Sequence, residues 1–328
     1  MPAEKKKSAR AKRPRQTALK RKRATGEKRS VGDARRSERD GSLEASQGYQ
    51  EALNRINDCQ RHRSKSLNLS RLGLCSLPPE IGKLRWLKRL NLEENQLSFL
   101  TPKIGRLGSL EMLFLGDNNL RELPSQIGQL TALEGLYLTR NHLTLLPQEI
   151  GQLSSLNHLY LGDNQLLELP KNITKLLALT ILNLRGNKLY TLPQEILQLT
   201  GLTALFLHNN RLSIIPPEID RLTRLTRVNL SNNQLSTLPP EFANLTQLEE
   251  LDLQKNQLTS LPDGIGRLSG LTHFFLHGNP SLGLSDELLG PDPACSIHRK
   301  VKPKPPAEII AAYFRIAGDA GEVLGNAR

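Results

Sequence analysis

One phrase recurs every 23 residues along most of this chain, and that period fixes what the chain can fold into. Its clearest copy runs Leu156-Asn157-His158-Leu159-Tyr160-Leu161-Gly162-Asp163-Asn164-Gln165-Leu166, then Leu169-Pro170. Copies start at Ser64, Leu87, Leu110, Leu133, Leu156, Leu179, Leu202, Leu225, Leu248 and Leu271, with no insertion or deletion between them. A fixed short period of this kind marks a stacked repeat, in which each unit leaves an apolar face that only its neighbours can bury.

The centre of the phrase alternates. Leu159 and Leu161 point one way and His158, Tyr160 and Gly162 the other, the pattern of a short strand with one apolar face. Ten such strands stacked in parallel, ~4.8 Å apart, give a sheet roughly 40–45 Å long. An Asn follows three residues after the last strand Leu in nine copies: Asn95, Asn118, Asn141, Asn164, Asn187, Asn210, Asn233, Asn256 and Asn279. The chain turns there, and a buried Asn side chain offers both donors and an acceptor to the backbone groups stranded by the turn. Leu72 takes this place in the first repeat. The second half reads L-P-x-x-I-g-x-L, as in Leu146-Pro147, Ile150-Gly151 and Leu153. Proline withholds a backbone donor, so this half is no central strand. Ile and Leu three apart suit a brief 3₁₀ or single α turn. In the second repeat Thr101-Pro102 displaces the proline by one.

L-x-x-L-x-L-x-x-N-x-L at this period resembles the leucine-rich repeat over residues 64–284, and the L-P-x-x-I-g-x-L half resembles its intracellular class, that of Ras-pathway scaffolds and plant Ras-group-related repeat proteins. The resemblance implies an α/β horseshoe with a parallel concave sheet and short convex turns. Two flanks resemble something narrower. Ala52-Leu53-Asn54-Arg55-Ile56 leading into Leu67-Asn68-Leu69-Ser70 is similar to the entry of the repeat domain in bacterial Roco-type GTPases. Gly278-Asn279-Pro280, Leu288-Leu289-Gly290-Pro291 and Pro306 to Arg315 resemble the segment joining those repeats to the GTPase. No G-x-x-x-x-G-K-[ST] occurs in the chain, so the phosphate cradle of such an enzyme is missing from it.

The formal net charge of +13 is local. Residues 1–40 hold sixteen Lys/Arg against five Asp/Glu, leaving 29 against 27 in the rest. With clusters such as Lys5-Lys6-Lys7 and Lys20-Arg21-Lys22-Arg23 and scarcely an aliphatic residue, 1–45 reads as a disordered basic tail. A tail of this kind suits nucleic acid or an anionic surface, and would read as a nuclear-import signal in a eukaryote. It has no apolar segment of a secretory signal. Residues 46–63 read as an N-terminal capping helix with Tyr49, Ala52, Leu53, Ile56 and Cys59 on one face, closing the open end of the first repeat. Residues 285–328 read as a connector followed by a short capping helix around Ile309, Ile310, Tyr313 and Phe314, with 317–328 frayed. Cys59, Cys75 and Cys295 form no C-x-x-C pair, which suits a reducing cytoplasmic compartment.

Chemistry is sparse. His158, His208, His273 and His277 fall at outward strand positions, with His273 and His277 sharing one strand but lying ~13 Å apart, too far for one metal. Asp117 and Asp163 stand two repeats apart, ~10 Å, with no nucleophile and base beside them. The reading is therefore of a monomer without catalytic residue, metal or cofactor. The information lies in the outward residue between the second and third Leu: Asn68, Asn91, Phe114, Tyr137, Tyr160, Asn183, Phe206, Asn229, Asp252, Phe275. Three consecutive aromatics stand in one column, with Phe206 two repeats on. Met112 and His158 flank them on one side, and Arg140, Arg185, Asp117 and Asp163 on the other. Clustered aromatics rimmed by Arg predict a protein-binding site made of Met112, Phe114, Tyr137, Arg140, His158, Tyr160, Asp163, Arg185 and Phe206. Three functions are carried forward: a non-catalytic scaffold binding a protein partner on its concave face, plausible by resemblance in GTPase signalling; a nucleic-acid-associated adaptor anchored by the tail; and the separated regulatory half of a Roco-type GTPase.

Overall fold

The computed structural model describes residues 31–290 and 304–325, with side chains over 47–290 and 304–317. The backbone divides into two units, 1–42 and 43–328. Of the first, the described part is helical. In the second, ten three-residue strands, β1 (Ser66–Asn68) to β10 (His273–Phe275), form one parallel sheet in chain order. Every pairing is offset by one period: Leu67 faces Leu90, Leu113 faces Leu136, and Leu136 faces Leu159. The uninterrupted sequence period is the cause, since one inserted residue would turn a strand's apolar set outward.

The strand leucines and the Ile and Leu of the second half form one continuous core. Leu159, Leu161, Leu166, Ile150 and Leu153 are fully buried, as are their counterparts in neighbouring repeats. Burying each such side chain contributes about 1.5–3 kcal/mol, and no single repeat can achieve it alone. The convex turns are all 3₁₀. Among the described residues nine have five residues, from Pro79–Lys83 to Asp263–Arg267, and a tenth is Pro280–Leu282. Twenty-three residues leave too little chain for an α-helix here. Each five-residue turn closes with the final Leu N–H donating to the Ile carbonyl or its counterpart, as from Leu153 to Ile150 at 3.2 Å. Phe242 takes the Ile place in the eighth repeat and is fully buried. The displaced Pro102 does not shift its turn, which starts at Pro102 with the Thr101 hydroxyl accepting from Lys103 N at 3.4 Å.

The column asparagines lie on the core side of the turn, all 8 % exposed or less. Asn164 Nδ2 donates to the carbonyls of Leu138, Leu161 and Gly162 at 2.9, 3.1 and 3.2 Å, and its Oδ1 accepts from Leu143 N at 3.0 Å. Each asparagine thus binds its own turn to the one before it. The residue preceding it always has positive φ. These positions hold Arg71, Glu94, Asp117, Arg140, Asp163, Asn209, Asn232 and Lys255 at 51–59°, and glycine at Gly186 and Gly278. The left-handed conformation costs a non-glycine residue about 1–2 kcal/mol, so the ladder overrides local preference at eight of the ten repeats.

Helix α1 (Val31–His62) begins well before the boundary drawn at 46. Residues 31–45 are helical, not disordered, because extending an existing helix adds one hydrogen bond per residue without a new nucleation cost. The tail expected over residues 1–30 lies outside the described residues, with its nucleic-acid and nuclear readings. Ala52, Ile56 and Cys59 of α1 are buried against the first repeat, and Tyr49 packs beside them. Burial pushes the Cys59 thiol pKa up, so it stays protonated and unreactive. Gly48 lets α1 approach the first turn: a methyl group there would come within 1.8 Å of the Leu72 carbonyl oxygen. Gly48→Ala is therefore expected to loosen the cap at a cost of about 1–3 kcal/mol. Trp86, the single tryptophan, donates to Ser64 O at 3.2 Å beside the cap. Its fluorescence in that variant should change at a lower temperature than the β-sheet circular-dichroism signal, and coincident transitions would refute this account of Gly48.

At the other end α2 (Asp286–Leu289) precedes the undescribed residues 291–303, which include Cys295. Helix α3 (Pro306–Gly325) is longer than a cap ending near Phe314, and residues 318–325 continue it where fraying was expected. Ile309 and Tyr313 join the core, and the Tyr313 hydroxyl accepts from Leu261 N at 3.0 Å.

Candidate functional site on the concave sheet

The outward residue of each strand follows a rule that couples side chain to backbone. Where it is Asn or Asp, its Oδ1 accepts from the N–H two residues on: Asn68 from Ser70 at 2.9 Å, Asn91 from Glu93 at 2.8 Å, Asn183 from Arg185 at 3.0 Å, Asn229 from Ser231 at 2.9 Å, and Asp252 from Gln254 at 3.0 Å. The strand ends there and that amide has lost its ladder partner, so the short side chain replaces it. In five repeats the residue is aromatic (Phe114, Tyr137, Tyr160, Phe206 and Phe275) and has no such acceptor, and the first three of these are consecutive. Among the described residues the amides of Gly116, Thr139 and Gly162 accordingly have no acceptor.

What those repeats gain instead is a ladder of rings. Phe114 of β3 (Met112–Phe114), Tyr137 of β4 (Gly135–Tyr137) and Tyr160 of β5 (His158–Tyr160) pair in register. Their rings stack, with centroids 4.6 Å apart at 16° for the first pair and 5.0 Å at 14° for the second. Stacking covers the inner ring faces, so the ladder presents ring edges and two phenol groups. Burial, then the neighbouring Tyr160, pushes the Tyr137 pKa up, so this phenol remains neutral and able to donate. The rings lean toward Gly135, where a methyl group would meet Met112 Sδ at 2.6 Å and Tyr137 Cε2 at 2.8 Å.

Most of the remaining residues predicted from the sequence lie around this ladder. Met112 and His158 are half-buried on the Gly135 side. On the other, Arg140 pairs with Asp117 at 3.3 Å, and Arg185 with Asp163 at 2.7 Å. Phe206 is half-buried but separated from Tyr160 by Asn183 and takes no part in the stack. Two histidine assignments are corrected. β10 ends at Phe275, so His273 and His277 do not share a strand, and His277 is buried rather than outward. The C-terminal segment covers it: its Nε2 lies 2.9 Å from Gly290 O and its Nδ1 3.3 Å from Gln254 Nε2. His208 is half-buried, and its Nδ1, like Arg185 Nε, is enclosed without a hydrogen-bond partner.

Burial, then Arg185, holds the His208 pKa below its ordinary 6.5, with Asp163 opposing them. The folded chain keeps His208 neutral where the unfolded chain would take up a proton. This contribution to stability is complete above the unfolded value and is lost as pH falls below it. Denaturation midpoints should drop on acidification from about pH 7.5 to 5.5, and part of that slope should vanish in His208→Asn. An unchanged slope in the variant would place the titration elsewhere.

Among the described residues no group of three or more His, Cys, Asp or Glu is placed to hold a metal, and no helix is long and apolar enough to cross a membrane. The family pattern described as leucine rich repeat matches residues 108–166, 177–235 and 223–280. This is a leucine-rich-repeat protein. No curated protein matches the chain. Among solved structures, the repeat protein is similar to the Arabidopsis thaliana receptor kinase HAESA, solved with the peptide hormone IDA and the co-receptor SERK1. The two are 29 % identical with a TM-score of 0.53, over 62 % of this chain and 36 % of that one. It shares its fold with the functional domain of InlJ from Listeria monocytogenes, at 24 % identity and a TM-score of 0.50 over 66 % and 54 % of the chains. A leucine-rich-repeat protein of Leptospira interrogans is 29 % identical over 66 % and 84 %, with a TM-score of 0.35. The chain spans 54 % and 36 % of the InlJ and HAESA chains it matches. Leucine-rich-repeat domains are interaction modules, as the receptor–hormone complex illustrates.

Proposed function

We propose that this protein is a non-catalytic interaction module whose concave sheet binds a protein partner through Phe114, Tyr137 and Tyr160. One observation carries the reading. Three consecutive repeats replace the side chain that caps the strand-end amide with an aromatic ring, and so give up a local hydrogen bond for an exposed surface. A free amide beside a ring edge gains most when a partner covers both. The rings of Tyr and Phe lose few rotamers on contact and supply large apolar area, the properties of interface anchors. Met112, His158, Arg140, Asp163 and Arg185 form the surround of this anchor, and Phe206 its outlying member. The Roco-like flanks make intracellular GTPase signalling the context we assign.

A pull-down with three baits tests the reading: the full chain, residues 31–328, and the full chain with Phe114, Tyr137 and Tyr160 all changed to Asn. Asparagine is what neighbouring repeats carry there, so it restores the cap while removing the ladder. Partners retained by 31–328 and lost from the Asn variant support the concave site. Partners retained by the Asn variant but lost with residues 1–30 would overturn it in favour of a tail-anchored, nucleic-acid-associated adaptor.

A further inference from the structure

The ladder is one wall of a trough, and the trough has opposite charges at its two ends. Its floor is the row one residue beyond the strand Leu, where each residue adjoins its counterpart in the next repeat. Glu94 N donates to Gly116 O at 3.0 Å, Asp117 N to Thr139 O at 2.9 Å, Arg140 N to Gly162 O at 2.9 Å, and Asp163 N to Arg185 O at 2.8 Å. The row therefore reads Glu93, Gly116, Thr139, Gly162, Arg185. Its three central residues are small, and within this row theirs are the amides with no acceptor among the described residues. At one end the Glu93 carboxyl reaches toward Gly116, where a methyl group would meet Glu93 Oε1 at 3.4 Å. At the other, the Arg185 side chain lies across Gly162, where a methyl group would meet its Cγ at 2.9 Å and its Nε at 3.1 Å. Either glycine enlarged would block the floor.

The two ends ask for different groups. Among the described residues no cation lies within ion-pair distance of Glu93. Glu94 beside it is held by Arg71 at 2.5 Å, and burial, then the nearby Asp117 and Glu94, raises the Glu93 pKa against the opposing Asn91 amide and Arg71. An incoming cation relieves that repulsion. At the far end Arg185 keeps Nε without an acceptor while its Nη2 holds Asp163, and the enclosed Nδ1 of His208 is likewise unmatched. The Arg185 side chain is 35 % exposed, and an incoming carboxylate meets the open edge of its guanidinium. Four strand steps separate the ends, ~19 Å, the length of about six residues of extended chain.

We infer that this trough takes an extended peptide segment of a protein partner lying along the sheet. Apolar side chains meet the aromatic ladder, a Lys or Arg sits at the Glu93 end, and an Asp or Glu sits at the Arg185 end. The inference rests on the concave-site reading and adds the partner's extended form and charge polarity to it. A nucleic-acid strand fits less well, because its phosphates would meet Glu93, Glu94 and Asp117 at one end.

Selection of a random heptapeptide display library on the full chain tests this. The expected peptides have an apolar middle with a cationic residue at one end and an acidic residue at the other, in either chain direction. On Arg185→Glu the acidic end should give way to a second cation, and on Glu93→Lys the cationic end to a second acid. The best peptide should bind Arg185→Gln about three- to fivefold more weakly, and the loss should fade at high salt. Thermal melting checks that each variant is folded. Selected peptides without charge separation, or the same peptides on both charge-swapped variants, would overturn the polarity. If those peptides still fail to bind the Asn-substituted ladder, the concave site survives that result. If they bind it unchanged, the concave site falls as well. Failure of any peptide to enrich, or displacement of bound peptide by a short oligouridylate, would overturn the peptide assignment.

Discussion

Replacing Asn164 by Leu is expected to lower the stability of this protein by about 3 kcal/mol, at the upper end of what unpaired buried polar groups cost. The side chain serves three carbonyls and one amide across two turns, and leucine fills the space while satisfying none of them. The carbonyls of Leu138 and Leu161 retain a second donor each, from Asn141 and Asn187, which keeps the loss from growing further. Asn279→Leu should cost less. Asn279 bonds to Leu253 O, Leu276 O and Leu258 N, but no later asparagine continues the column, so a break there uncouples the end rather than the middle. Equal losses for the two variants in urea denaturation would contradict the nearest-neighbour picture of the stack.

The second large effect falls on binding. Tyr137 is the central rung, stacked on both faces, and Tyr137→Asn should weaken partner binding by about 2 kcal/mol or more, as expected of an anchor residue. Phe206→Asn, outside the stack, should change it little. Titration of both variants with a partner recovered by pull-down separates a continuous ladder from scattered aromatics. A Phe206 effect equal to that of Tyr137 would show that stacking is irrelevant to recognition.

The period in the sequence foretold the parallel register, the buried asparagines and the alignment of three aromatics in one column, because all three follow from counting residues along an uninterrupted repeat. What escaped it depends on neighbours that no local pattern reveals. The left-handed residue before each column Asn carries Arg, Glu and Lys as well as Asp and Asn, so its composition hides its conformation. His277 stands at an outward register position, yet Gly290 folds over it. The start of α1 at Val31 was masked by a run of charged residues that reads as a tail. The coupling between the outward residue and the amide two positions on was written in the alternation of Asn and Asp with Phe and Tyr. It became readable only once the backbone showed where that amide points.

The account turns on the claim that the ladder exists for contact and not for stability. The direct test measures melting and partner affinity on one protein carrying Phe114→Asn, Tyr137→Asn and Tyr160→Asn together. Three restored caps should each contribute about 0.5–1.5 kcal/mol and offset the lost ring stacking. The account therefore predicts a melting temperature equal to or above that of the parent, with partner affinity reduced by about a hundredfold or more. A stable variant that binds its partner as tightly as the parent would contradict it.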